Sequence, residues 1–215
     1  MTAEVEDPYG GREPTSHERM AGQPWDASYL DGPAPWDIGR PQPAVVRLAS
    51  QGAFAGAVLD AGCGTGENAL HVASLGVRVL GVDVAETAVS IARESAAARG
   101  LDADFVVADA LHLDRLGRTF ETVLDCALFH SFDRDERREY VASLATVTSP
   151  GTNVYVLCFG DAGPGTLGPH PVRQEELRAP FGGADWSVTS VSPERLETRS
   201  HAQGAAAWLA RIERT

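Results

Sequence analysis

From residue 57 onward, apolar and polar positions alternate in blocks that change period. "AVLDAG" is a buried apolar run broken by an aspartate and a glycine. "GENALHVASLG" has the three-to-four spacing of a helix face, closed by Gly76, and "VRVLGVD" alternates with period two as a strand does. Together they predict a β-α-β unit. The next helix, "AETAVSIARESAAARG", ends with Arg99 and Gly100 placed as a C-terminal cap. "ADFVVADAL" and "FETVLDCALF" supply a third and fourth strand. Asp133 with Glu136 then forms a capping box for a helix running to about Thr148, whose apolar stripe is Tyr140, Val141, Leu144 and Val147.

"TNVYVLCF" is a fifth strand, followed by the loop "GDAGPGTLGPHP" and a short helix at "RQEELRAPF". "WSVTSV" and "AAWLARIERT" are two late strands with no helix between them. Regular β-α units followed by paired strands predict an α/β fold: a doubly wound, mostly parallel seven-stranded sheet ending in an antiparallel hairpin. Ahead of the first strand, Pro43 suits the opening turn of an apolar helix.

Length and composition fit one domain: 215 residues, 43% hydrophobic. Its expected bounds are 21–215, with 21–50 holding an aromatic segment and the first helix. The acidic, polar residues 1–20 are expected to be a frayed tail. No apolar run is long enough to span a bilayer, and the first residues lack the basic start and apolar centre of a signal peptide, so a cytoplasmic location is expected. A net charge of −12 repels a phosphate backbone and argues against nucleic acid as substrate. All 18 basic residues are arginine, which excludes a Schiff-base lysine and the lysine of a P-loop. Cys63, Cys126 and Cys158 contain no C-x-x-C pair and suggest neither a disulfide framework nor a metal site.

The candidate chemistry sits in "VLDAGCGTGENAL". Glycines between a strand and its helix bring backbone N–H groups close to a ligand. A dinucleotide fingerprint needs its third glycine where Glu67 stands; here the glycines are Gly62, Gly64 and Gly66, with Asp60 beside the turn. That carboxylate repels a pyrophosphate and suits a ligand carrying an ammonium and a sulfonium. The pattern resembles motif I of the class I S-adenosylmethionine-dependent methyltransferases. The resemblance implies that Asp83, with Val84 beside it, accepts the ribose hydroxyls, and that Asp109 meets the adenine amino group with Ala110 and Leu111 flanking the ring. Strand-end aspartates are common as turn formers, but three at successive strand ends beside this glycine spacing are a specific signal.

"WDASYLDGPAPWDIGRPQP" resembles the N-terminal segment of the thiopurine and halide/thiol branch. That resemblance implies an aromatic lid: Trp25 and Trp36 over the cofactor, with Tyr29 and Trp36 facing the acceptor. The competing role for these rings is to staple an N-terminal helix to the domain. "VLDCALFHSFDRDERREYVASL" and "LCFGDAGPGTLGPHPV" are similar to bacterial relatives that cap hydroxylated quinolones, which implies a detoxifying methyl transfer to a small planar heteroaromatic, oxygen favoured. Halide or thiol methylation is the alternative, and a non-catalytic S-adenosylmethionine-binding regulator is an alternative of another class. Where the thiopurine enzymes carry an arginine this chain has Cys126, leaving the cofactor carboxylate to backbone N–H groups or to Arg40.

Methyl transfer needs alignment and desolvation more than a protein nucleophile. His130, between Phe129 and Phe132, is the candidate base, with a structural histidine as the counter-reading. Phe129, Phe132 and Phe159 with Trp36 are the candidate walls of a flat slot. Asp125 is expected to orient the loop or the cofactor, His71 and His112 to lie on the surface, and His170 in the variable loop. Nothing in the sequence fixes the oligomeric state.

Overall fold

The computed structural model describes residues 7–161 and 171–215. Seven strands form one sheet: β1 (Ala57–Ala61), β2 (Arg78–Asp83), β3 (Ala103–Val107), β4 (Phe120–Cys126), β5 (Thr148–Phe159), β6 (Trp186–Thr198) and β7 (His201–Arg214). Their order is β3-β2-β1-β4-β5-β7-β6. β1 to β5 pair in parallel, while β7 runs antiparallel to both β5 and β6. The sheet is therefore doubly wound with an antiparallel C-terminal hairpin, as the sequence pattern predicts.

The helices are α1 (Ser16–Ala21), α2 (Ala27–Leu30), α3 (Pro43–Ser50), α4 (Glu67–Ala73), α5 (Glu86–Arg99), α6 (Arg134–Thr146) and α7 (Gln174–Arg178). Pro43 opens α3, where its missing N–H costs nothing. Gly100 closes α5 in the left-handed conformation. At the start of α6, Glu136 N–H donates to Asp133 (3.0 Å) and Asp133 N–H donates to Glu136 (2.9 Å), the expected capping box. α6 stops at Thr146, short of Thr148, which begins β5 and donates its hydroxyl back to the Leu144 carbonyl (2.8 Å).

Alternation along the strands divides the core between the two faces of the sheet. Leu59 and Val123 face α6 and pack with Tyr140, Leu144 and Phe181. Val58 and Leu124 face the other way, onto Leu70, Val89 and Phe105 beneath α3, α4 and α5.

The described part of the expected tail is not frayed. Thr15 caps α1 in a reciprocal box with Glu18, which is 1% exposed. Ser16 donates its N–H and its hydroxyl to Glu136 of α6. The helix is short, and these contacts to α6, 120 residues away, hold it more than local propensity can. His170 and residues 162–170 of the variable loop lie outside the described residues.

Candidate active site

β1 and β4 are neighbours whose connections leave in opposite directions, and this switch point opens a crevice at the carboxyl edge of the sheet. The turn after β1 enters it. Gly62 and Cys63 donate their N–H groups to the Val82 carbonyl (2.8 and 2.9 Å), which pins the turn to β2. Gly64 has φ 52°, a left-handed conformation that favours glycine, and a Cβ there would stand 3.2 Å from the Tyr29 hydroxyl and press on the lid. Gly66 plays another part. A Cβ on it would lie 2.8 Å from the Phe105 ring, so it lets α4 pack on the sheet and does not line the crevice.

Four carboxylates gather at this edge. Asp83 accepts from the N–H groups of Gly64 and Ala85 (both 2.9 Å) and lines the crevice beside Val84. Burial pushes its pKa above the ordinary carboxylate value although these N–H groups pull it down. Asp109 lies two residues beyond β3, accepts from Leu111 N–H (2.9 Å), and lines the crevice with Ala110. Leu111 turns away and packs against the core on the α6 side. Asp60 is set beneath the glycine turn rather than on the crevice wall. Neither of its oxygens has a well-aligned hydrogen-bond partner among the described residues. Burial, with the charges of Asp125 and Asp83, pushes Asp60 up to about 7 against a smaller pull from the Ala69 N–H. Asp125 accepts from Leu128 and Phe129 N–H (both 3.1 Å), orienting the loop after β4 as expected, and burial raises it to about 7 as well.

The crevice widens into a cavity of about 360 Å³ roofed by the N-terminal segment. Trp25, Tyr29 and Trp36 all line it. Trp36 Nε1–H donates to the Tyr29 hydroxyl (3.0 Å), and Trp25 meets Trp36 edge to face at 5.5 Å. Tyr29, expected at the acceptor, lines the cavity with its hydroxyl close to the glycine turn. His17 stacks on Trp25 at 4.4 Å and also lines the cavity. Glu18 holds this group in place by accepting the Trp25 N–H (3.0 Å) while pairing with Arg12.

The roof is stitched down along its length. Asp26 accepts the N–H and hydroxyl of Thr87 at the start of α5 (2.7 and 2.9 Å), and Asp37 accepts the Thr65 hydroxyl (2.9 Å). Gln42 and Glu197 bond reciprocally through the side chain of one and the backbone of the other (2.9 and 3.0 Å). Arg40, which lines the cavity, pairs with the Glu197 carboxylate at the tip of the β6–β7 hairpin.

Past Cys126, Ala127 turns the chain with φ 74°, a left-handed conformation that costs a non-glycine residue about 1 kcal/mol. A single 3-10 turn, Phe129–Ser131, follows. It splits the two neighbouring phenylalanines. Phe132 lines the cavity with His130 and Phe159. Phe129, expected as a wall, is fully buried on the α6 side, stacked on Phe181 at 6.3 Å with the Arg137 guanidinium over its face at 5.1 Å. Cys126 lines the cavity, and burial holds its thiol well above the usual value, so it stays neutral there.

Several lining residues escaped the sequence pattern: Thr15 and His17 ahead of the lid, Asn68 on α4, and Leu196, Glu197 and His201 at the hairpin tip. A signal for the tip was present. A last strand antiparallel to the fifth must start at the carboxyl edge, which places the polar turn "RSHAQG" beside the crevice.

A doubly wound sheet with a glycine turn after β1 and acids at the ends of β1, β2 and β3 is a setting suited to a nucleoside, and residues 58–151 match the family described as a methyltransferase domain. The chain belongs to the S-adenosylmethionine-dependent methyltransferases. It is 39% identical over 194 residues to the 2-heptyl-1-hydroxyquinolin-4(1H)-one methyltransferase of Mycobacteroides abscessus, covering 89% of this chain and 79% of that one. It is 26% identical to thiocyanate methyltransferase 1 of Brassica oleracea, over 86% and 83% of the two chains. A solved structure from the conversion of a disulfide bond into a thioacetal group during echinomycin biosynthesis is 41% identical, with a TM-score of 0.75 over 84% of each chain.

The cofactor is S-adenosylmethionine, and the residues present fit it. A left-handed turn at Gly64 where a Cβ would press on the lid, a buried acid bonded to the turn at Asp83, and buried Asp60 carboxylate oxygens without a well-aligned hydrogen bond among the described residues suit a ligand bearing hydroxyls and positive charge.

Proposed function

We propose that this methyltransferase acts on the oxygen of a small, planar, hydroxylated heteroaromatic of the quinolone kind. The observation that carries the proposal is that Trp36, Phe132, Phe159 and His130 all line the same cavity as the glycine turn, with the His130 and Phe159 rings 4.3 Å apart. A flat ring buries both faces against such walls, whereas a halide ion leaves them unused. The 39% identity to a hydroxyquinolone methyltransferase supports the same acceptor class. The acidic net charge agrees with a small acceptor rather than a nucleic acid. We further place the reaction in the cytoplasm, as a detoxification that masks a reactive hydroxyl.

In this reading Asp83 holds the ribose hydroxyls with the lone pairs its two backbone N–H partners leave over, and Asp109 meets the adenine edge. Asp60 and Asp125 set a negative field beneath the turn. S-adenosylmethionine supplies an electrophilic methyl group on a positively charged sulfur. The chain's own contribution is to align the acceptor with that group and to exclude water, through the roof stitched to α5, α6 and the hairpin tip.

Sulfur acceptors are the second reading, favoured by the similarity to the thiocyanate methyltransferase and to the echinomycin-pathway structure. The test is incubation with S-adenosylmethionine and a 1-hydroxy-2-alkylquinolin-4-one, with mass spectrometry locating the methyl group. O-methyl product supports the proposal, and turnover confined to thiols replaces it with the second reading.

A further inference from the structure

S-adenosylmethionine ends in an amino acid, a carboxylate beside an ammonium, and the backbone around the crevice has few donors left for that carboxylate. Of the five N–H groups from Gly62 to Gly66, four are spent within the protein: Gly62 and Cys63 on the Val82 carbonyl, Gly64 on Asp83, and Gly66 on the Cys63 carbonyl. The turn after β4 is used in the same way, with Ala127 donating to the Leu157 carbonyl and Leu128 and Phe129 to Asp125. The Cys126 thiol, also on the cavity wall, stays neutral under burial and offers no charge.

Arg40 does offer one. It is the only arginine on the cavity wall among the described residues, and the chain contains no lysine. The stretch that carries it is bonded at both ends to the start of α4: Asp37 accepts the Thr65 hydroxyl of the glycine turn, and Asn68 of α4 accepts the Gln42 N–H (both 2.9 Å). Among the described residues the Arg40 guanidinium donates to Glu197 alone, through one terminal nitrogen, which leaves Nε and the other terminal nitrogen for a ligand. Glu197 likewise uses one carboxylate oxygen and keeps the other. The neighbouring acids on the wall are engaged elsewhere, Asp37 with Gly39 and Thr65 and Glu67 with Arg99. Arg199, the other arginine at the hairpin tip, donates to the Asp37 carbonyl (3.3 Å) and is not on the wall.

We infer that the Arg40–Glu197 ion pair is the receptor for the amino-acid end of the cofactor, Arg40 taking the carboxylate and Glu197 the ammonium. Opposite charges side by side complement a zwitterion, and a guanidinium presents a fork that matches a carboxylate. The inference rests on the ribose standing at Asp83, as proposed above. Asp83 ends β2 on one side of β1 in the strand order, and Glu197 lies in β6 on the other, so the two ends of the cofactor are held on opposite sides of the glycine turn. The pair is more than half exposed on the arginine side, and such a bridge contributes little to stability, so its charges are available to a ligand at small cost to the fold.

Isothermal calorimetry with three thioether nucleosides tests this: S-adenosylhomocysteine, its decarboxylated analogue S-adenosyl-3-thiopropylamine, and 5′-methylthioadenosine, which lacks the amino-acid end. Arg40→Gln is expected to lower the affinity for S-adenosylhomocysteine by about 10-fold or more and to leave the other two ligands within about 2-fold. Glu197→Gln is expected to weaken the two ligands that carry an ammonium and to spare 5′-methylthioadenosine. The bonds between the Gln42 side chain and the Glu197 backbone persist in both variants, so the hairpin tip stays docked and melting temperatures are expected to change little. An equal loss on all three ligands makes the pair a structural latch and overturns the inference. Undiminished S-adenosylhomocysteine affinity in Arg40→Gln overturns it too, and a raised acceptor KM in that variant then moves Arg40 to the acceptor end. Asp83→Asn, measured alongside, is expected to weaken all three ligands alike. If it weakens none while Arg40→Gln still separates the ligands by their carboxylate, the ribose placement falls and the assignment of Arg40 stands.

Discussion

At the scale of single residues, the strand-end acids proposed to hold the cofactor each have their own signature. Asp83 holds two backbone N–H groups and, on the proposed reading, the ribose hydroxyls, so Asp83→Asn is expected to weaken S-adenosylmethionine binding by about 10²-fold or more. Isothermal calorimetry measures it, and unchanged affinity removes Asp83 from the ribose site. Asp60 makes a different prediction. Its folded-state pKa, about 7, lies above the ordinary 3.8, so the folded chain retains a proton that the unfolded chain gives up. The stability that Asp60 contributes is therefore full below about pH 4 and declines as pH rises toward 7, with a slope of at most about 1.4 kcal/mol per pH unit for each such group. Without cofactor, the melting temperature is expected to fall between pH 4.5 and 8, and Asp60→Asn is expected to flatten part of that fall. A variant with the parent's slope contradicts the burial account.

The acids were legible in the sequence because strand ends and glycine spacing are local patterns. Which side a neighbouring ring takes was not. Phe129 and Phe132 are three residues apart, and the left-handed Ala127 and the 3-10 turn after it bury Phe129 wholly in the core while Phe132, packed on Tyr140, keeps an edge on the cavity.

At the scale of elements, the N-terminal roof departs furthest from expectation. α1 is too short to be read from periodicity, and what secures it is the distant Glu136, which also caps α6. Because Glu18 positions Trp25, and His17 stacks on that ring, truncation through Ala21 is expected to lower turnover by about 10-fold or more as well as stability. Deletion of residues 1–6 alone serves as the comparison. Ser16→Ala removes the hydroxyl that donates to the Glu136 carboxylate and accepts the Asp133 N–H, a loss of about 1–3 kcal/mol, and is expected to lower the melting temperature by a few degrees. If truncation through Ala21 leaves initial rates intact, α1 is no part of the catalytic roof. The β6–β7 hairpin was predicted as an element, but its tip's bonds to Gln42 and Arg40 bridge about 155 positions and follow from no local pattern.

At the scale of the whole molecule, the alternation of strands and helices determined the sheet, and the strand order placed the crevice where its acids converge. The cofactor half was legible because it is built from consecutive β-α units. The acceptor half was less so, because three separate parts of the chain meet there: the roof, the turn after β4 and the hairpin tip. That composite end is what the proposed activity depends on, and acceptor preference tests it most directly. With saturating S-adenosylmethionine, kcat/KM should be measured for a hydroxyquinolone, a simple phenol, a heteroaryl thiol, hydrosulfide and iodide. The account predicts the highest value for the hydroxyquinolone, with iodide and hydrosulfide lowest. A higher kcat/KM for iodide or hydrosulfide than for every aromatic acceptor would contradict it.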